Sequence, residues 1–254
     1  EAVGHTPWFS MGADVSDINN DGLLDFLIAD MSSTTHYKQK TTMGEMGNSA
    51  WFLTIGAPRQ FMRNALYVNS GTSRFWEAAN LAGLDSTDWT WSVKFADQDC
   101  DGKVDVFFTN GVGKNMNDSD LQKEFAQLMV EGREEEAANQ IMLMPPLKEH
   151  NLLFRTQGDW KFENDAKAWG ADHFGVSNGC SVVDIDRDGD LDLLVNNMNE
   201  PLGVYRNDCT AGNRLLVKLR GTTSNRDGIH ANVNVETETG RQIRQINLAR
   251  GYMS

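Results

Sequence analysis

Short apolar runs bounded by Gly, Asn and Asp recur along the chain, and their spacing is closer to two residues than to 3.6. They predict strands at about 65–69, 73–78, 89–97 and 104–109, and again at 152–156, 160–165, 176–184 and 191–196. The third strand of each set alternates: Met11, Ala13, Val15 in one copy, Trp91, Val93, Phe95 in the next, Asn178, Cys180, Val182 in the last. One face of each is therefore mainly apolar and is expected to pack on a neighbour. Cys180 shares its slot with Ala13 and Val93, which predicts a small buried hydrophobe.

The runs belong to an internal repeat. Asn64-Ala-Leu-Tyr-Val-Asn-Ser-Gly71 lies over Asn151-Leu-Leu-Phe-Arg-Thr-Gln-Gly158. In the same register Phe75, Ala79 and Gly83 fall over Phe162, Ala166 and Gly170. Four short antiparallel strands in tandem predict an all-β chain built of β-propeller blades. The expected set is partial: half a blade at about 8–30, full blades at 64–110 and 150–197, and a further strand at 203–207. Closure needs at least four blades, so the chain is expected to be part of a longer polypeptide or assembly. Two insertions separate the blades. Residues 31–63 are polar, Met- and Gly-rich and without a period. Residues 111–149 predict a helix capped by Ser119 with Gln122 completing a capping box. Its stripe of Leu121, Phe125, Leu128 and Met129 is expected to lie on the sheets. Gly132 interrupts this helix, and a second stretch over 134–141 ends before Pro145-Pro146.

The chain has 254 residues, 40% of them hydrophobic, with 36 acidic against 23 basic side chains and a net charge of −13. Such a balance argues against nucleic-acid or anionic-membrane binding, which call for a basic patch. No apolar run is long enough to span a bilayer. Cys100, Cys180 and Cys209 match no zinc spacing and allow at most one bridge, whose pairing the sequence leaves open.

The acidity is concentrated in three nine-residue segments: Asp17-Ile-Asn-Asn-Asp-Gly-Leu-Leu-Asp25, Asp97-Gln-Asp-Cys-Asp-Gly-Lys-Val-Asp105 and Asp184-Ile-Asp-Arg-Asp-Gly-Asp-Leu-Asp192. Oxygen side chains stand at positions 1, 3, 5 and 9: Asp17, Asn19, Asp21, Asp25; Asp97, Asp99, Asp101, Asp105; Asp184, Asp186, Asp188, Asp192. Lys103 and Arg187 are the basic residues inside the loops, too few to balance them. Ca²⁺ resolves the repulsion, because it takes six to eight hard oxygen ligands in flexible geometry. The position-6 glycines Gly22, Gly102 and Gly189 would turn the chain, and the carbonyls of Leu23, Lys103 and Asp190 would add a backbone ligand each. About three Ca²⁺ sites are expected. An EF-hand would carry Glu at position 12 and continue as a helix; here Ile28, Phe108 and Val195 occupy it inside apparent strands.

These loops and their flanking strands resemble FG-GAP/VCBS repeats, the calcium-binding blades of integrin-α-like propellers. Phe61-Met-Arg-Asn-Ala-Leu-Tyr67, Phe108-Thr-Asn110 and Asn196-Asn-Met-Asn-Glu-Pro201 extend the likeness. The tail, Asn213–Gly221 followed by Ser224–Ala231, resembles the start of an ASPIC/UnbV domain, and the combination is similar to bacterial relatives of the cartilage acidic protein family. The resemblance divides the chain into propeller blades at 1–207 and a small β segment at 208–254. Within the tail, His230 and Asn232 depart from the family pattern, and Asn19 removes one charge from the first loop.

No nucleophile elbow, P-loop, zincin or dinucleotide motif is present, and His36 and His173 stand isolated. The expectation is a non-catalytic, calcium-binding module that meets a protein or glycan through 31–63 and 111–149. Trp51 offers a stacking surface for a glycan, whereas Trp89 and Trp91 read as blade packing. The alternatives are a structural subunit of a surface layer or larger complex, and a propeller-fold hydrolase or lyase. Weak calcium sites would stay empty in a cytosol, so an extracellular, periplasmic or cell-surface location is expected.

Overall fold

The computed structural model describes residues 2–42, 58–223, 225–238, 240–248 and 252. Trp51 and most of the Met- and Gly-rich stretch around it lie outside the described residues.

In chain order, β1 (His5–Pro7) is followed by β2 (Ala13–Ser16) and β3 (Asp25–Ile28), joined by the first acidic loop. Next come β4 (Met31–Ser32), α1 (His36–Thr42) and β5 (Arg59–Phe61), which pairs in parallel with β1. β6 (Ala65–Asn69) and β7 (Phe75–Glu77) extend β2 and β3 into one antiparallel sheet of order β2-β3-β6-β7. A short helix, α2 (Ala79–Ala82), leads to β8 (Asp88–Ala96) and β9 (Asp105–Asn110), which flank the second acidic loop. Beyond the helices α3 (Ser119–Val130) and α4 (Glu134–Leu143), β10 (Glu149–His150) precedes β11 (Leu152–Gly158) and β12 (Lys161–Asn164). The second sheet therefore runs β12-β11-β9-β8-β4. β13 (Phe174–Gly175) pairs with β10. β14 (Ser177–Val183) and β15 (Asp192–Asn197) embrace the third loop and join β16 (Gly203–Tyr205) in a three-stranded sheet. A hairpin of β17 (Asn232–Thr237) and β18 (Gly240–Gln245) is the last of the described elements.

The sheets are thus out of phase with the sequence repeat. The first two each combine the hairpin around an acidic loop with the hairpin that follows it, so 64–110 is split between two sheets, while the third joins its loop hairpin to the single strand β16. A tandem pattern is unchanged by where it is cut; hydrogen bonding alone sets the phase. The innermost strands β2, β8 and β14 lie side by side.

One core fills the space between the first two sheets, with Leu27, Leu66, Val93, Val106 and Phe108 fully buried. A second, of Phe107, Leu153, Cys180, Leu193 and Val195, lies between the second and third. Cys180 is buried there as a small hydrophobe. Trp89 is buried and Trp91 half-buried among Met31, Met62, Val112 and Leu147.

β2 inverts the expected alternation. Asp14 and Ser16 are buried, while Ala13 and Val15 are exposed. The reason is β8: Asp14 Oδ2 accepts the Phe95 N–H at 2.9 Å, which turns the polar face of β2 inward.

The helical insertion also departs from expectation. Asp118, not Ser119, caps α3, accepting the N–H groups of Asp120 and Leu121. The Ser119 hydroxyl instead donates to the Lys40 carbonyl on α1, and the Gln122 amide donates to Met116 O rather than closing a capping box. α3 packs chiefly on α4 and α1 instead of a sheet, burying Leu128 and leaving Met129 exposed. α4 reaches Leu143, where Lys114 Nζ donates to the last carbonyls, those of Ile141 and Met142.

Candidate metal centre

The three acidic loops share one backbone course. Position 6 takes a positive φ of 87° at Gly22, 88° at Gly102 and 96° at Gly189. Position 4 is left-handed too, at Asn20 (57°), Cys100 (58°) and Arg187 (67°), although no glycine marks it. In the first loop Asp17 accepts the N–H of Asp21 at 3.0 Å and of Gly22 at 2.8 Å. Asp97 accepts the corresponding groups of Asp101 and Gly102. In the second loop positions 1, 3 and 9 converge while Asp101 at position 5 pairs with Lys103, and in the third loop positions 1, 3 and 5 converge.

Carboxylate oxygens of Asp97, Asp99 and Asp105 lie within 4.8 Å of one another, as do those of Asp184, Asp186 and Asp188. Either group is close enough to hold one metal ion, and an all-oxygen donor set suits a hard cation. In the first loop Asn19 stands where the others have Asp, and its amide donates to Asp21 Oδ2 at 2.8 Å.

Position 9 has a second task. Asp25 accepts from Ile18 N and Asn69 N, Asp105 from Gln98 N and Thr156 N, and Asp192 from Ile185 N and Asn207 N. All three are essentially fully buried. Each therefore bolts its own loop to the strand or segment that follows outward. Each oxygen keeps a second lone pair, so this clamp and ligation of an ion are compatible.

Like charge and burial leave these groups strained as anions. Burial first, then the neighbouring Asp99 and Asp97, push the Asp105 carboxyl up to about 7 against its two backbone hydrogen bonds. Asp25 rises to about 6 from burial, with Asp21 and Asp17 adding to it. Burial likewise raises Asp17, Asp97 and Asp99. Asp184 Oδ1 is buried without a hydrogen-bond partner, and so is Asp190 Oδ1. A buried carboxylate oxygen with no hydrogen-bond donor, as at Asp184 within its acidic group, fits a bound cation.

Sequence reasoning missed the basic groups, because they come from the far end of the chain. Arg241 lies at Gly22, with its guanidinium about 3.0 Å from where a side-chain carbon would stand, and Gln242 and Arg214 lie correspondingly at Gly102 and Gly189. Arg244 draws both Asp17 and Asp97 downward, against burial. Arg214 Nη2 pairs at 3.2 Å with Asp190, whose buried side chain also accepts Cys209 N–H. Lys103 Nζ reaches Asp101 Oδ2 at 2.7 Å from within the second loop. The terminal segment thus crosses the acidic face, with Ile243 buried upon it. Neighbouring loops also touch: Asn20 Nδ2 donates to Gly102 O and Asn207 Nδ2 to Gln98 O.

His36 is exposed on α1, and His173 Nε2 sits 3.0 Å from Glu200. Neither adjoins the acidic loops.

Antiparallel sheets in tandem, each opened by a hairpin around an acidic loop, define a mostly β protein built of repeated units. Comparison with known families agrees: residues 17–108 match an FG-GAP-like repeat, and residues 221–254 match the family described as ASPIC and UnbV. The chain carries an FG-GAP-like repeat followed by an ASPIC/UnbV segment. No curated protein matches it. Among the described residues no helix is long and apolar enough to cross a membrane.

Proposed function

We propose that the chain is a calcium-stabilised, non-catalytic binding module that works outside the cytoplasm. The carrying observation is the convergence of carboxylates in the loops at 97–105 and 184–192, with a buried, unpartnered Asp184 oxygen in the latter. Ca²⁺ matches that donor set better than Mg²⁺, which demands near-ideal octahedral geometry. The ion's role is to relieve repulsion and hold the hairpins. The partner is a protein or glycan met at the rims, where α3 and α4 expose Val130, Met142 and Leu143. Weak sites fill only where calcium is abundant, which supports an extracellular, periplasmic or cell-surface location.

A structural subunit of a larger assembly is the second reading, favoured by the exposed Ala13–Val15 face of β2.

Calorimetric titration of the chelator-stripped chain with CaCl₂, alongside thermal unfolding, tests the metal. Each site is expected to add about 2.7 kcal/mol of stability at a hundredfold excess over its Kd. Asp101→Ala and Asp188→Ala should each remove one binding event. Absence of binding at millimolar calcium would defeat the proposal.

A further inference from the structure

We propose that Cys100 and Cys209 form a disulfide that fastens the segment after the third sheet to the middle acidic loop. The two thiols are in side-chain contact. Both are partly accessible to an oxidant. Cys209 Sγ lies 3.1 Å from the carbonyl oxygen of Asp99, the residue before Cys100, while Cys209 N–H donates to Asp190. Cys209 is therefore held on both sides. Gly212 lies so close that a side-chain carbon there would stand 2.3 Å from Cys100 O and 3.5 Å from Cys100 Cβ. This close approach seats the 209–212 turn directly on Cys100.

The third cysteine is excluded. Cys180 is enclosed in the core with Phe107, Leu153 and Leu193, and its Sγ faces Ser92 Oγ at 3.5 Å. Of the possible pairings, only Cys100 with Cys209 brings two thiols together.

Formation breaks two S–H bonds and makes one S–S bond. The two hydrogens with their electrons pass to an external disulfide, low-mass or on a thiol oxidoreductase, which leaves as two thiols. Such a bridge persists in an oxidising compartment. Because its ends are far apart in sequence, it strongly restricts the unfolded chain. Cys100 occupies loop position 4, outside the expected ligand positions, so bridging leaves the carboxylates free. The inference stands on thiol geometry alone and would survive a failure of the calcium reading.

The test is peptide mapping of the full chain after exposure to oxidised glutathione, alkylation under denaturing conditions and trypsin digestion. Fragment 95–103 should appear linked to fragment 207–214, with Cys180 alkylated in fragment 168–187. Reductant should separate the pair and lower the unfolding midpoint by about 5 °C or more. Cys100→Ser and Cys209→Ser should each abolish the link, and Cys180→Ser should keep it. Alkylation of both Cys100 and Cys209 after oxidation, or a link through Cys180, would overturn the inference. The wild-type map decides even if a variant does not fold.

Discussion

Asp105 sits between opposing demands. Its two backbone hydrogen bonds, from Gln98 and Thr156, favour the carboxylate, but burial and the neighbouring Asp99 and Asp97 outweigh them and hold the group up to about 7. A carboxyl raised on folding stabilises the chain below its unfolded value near 4, and that contribution is lost as pH rises through 7. For Asp105 the loss is on the order of 4 kcal/mol in metal-free protein between pH 4 and pH 8. Asp25, at about 6, acts in the same direction. His5, held below the ordinary imidazole range mainly by burial, acts in the opposite direction. In chelator, therefore, the unfolding midpoint should fall as pH rises from 5 to 8, and saturating calcium should flatten that slope. Asp105→Asn should weaken the slope in chelator while reducing stability in calcium. Melting curves for both proteins across that range are the measurement, and a rising midpoint in chelator would contradict the account.

Among the elements, the helical insertion separates local from tertiary control. The stop at Gly132 and the end before Pro145 follow from backbone chemistry and occur as expected, with Gly132 at φ 70°. The cap does not. Asp118 and Ser119 are adjacent capping residues, and which one acts depends on where Ser119 is drawn; here the Lys40 carbonyl engages its hydroxyl. Asp118→Ala should cost about 1 kcal/mol, while Ser119→Ala should stay within about 0.5 kcal/mol. Urea unfolding monitored by circular dichroism ranks the two, and a larger loss at Ser119 would reverse the assignment.

At the scale of the whole molecule, the terminal hairpin changes the electrostatics of loops far from it in sequence. Arg244 acts on both Asp17 and Asp97, so it competes with any cation those loops hold. Arg244→Gln should tighten calcium binding at the first two loops by about threefold at low ionic strength, with the gain shrinking above roughly 0.1 M salt. Titration at two salt concentrations checks this; weaker binding in the variant would show that the arginine supports the site.

Sequence alone determined the β character, the repeat, the glycines at loop position 6 and the clustering of carboxylates. These follow from local chemistry: a period of two, a positive φ and fixed spacing are all written within a few residues. Tertiary structure decided the phase of the sheets, because a tandem pattern does not state which hairpins bond. It also decided that Asp14 faces inward on β2, since only β8 supplies the Phe95 N–H that holds it. The double duty of Asp25, Asp105 and Asp192 was hidden for the same reason: Asn69, Thr156 and Asn207 come from beyond each loop's own hairpin. Arg214, Arg241 and Arg244 carry no local sign of the loops they meet. Coulombic partners are chosen by distance in space, and that distance exists only once the chain has folded.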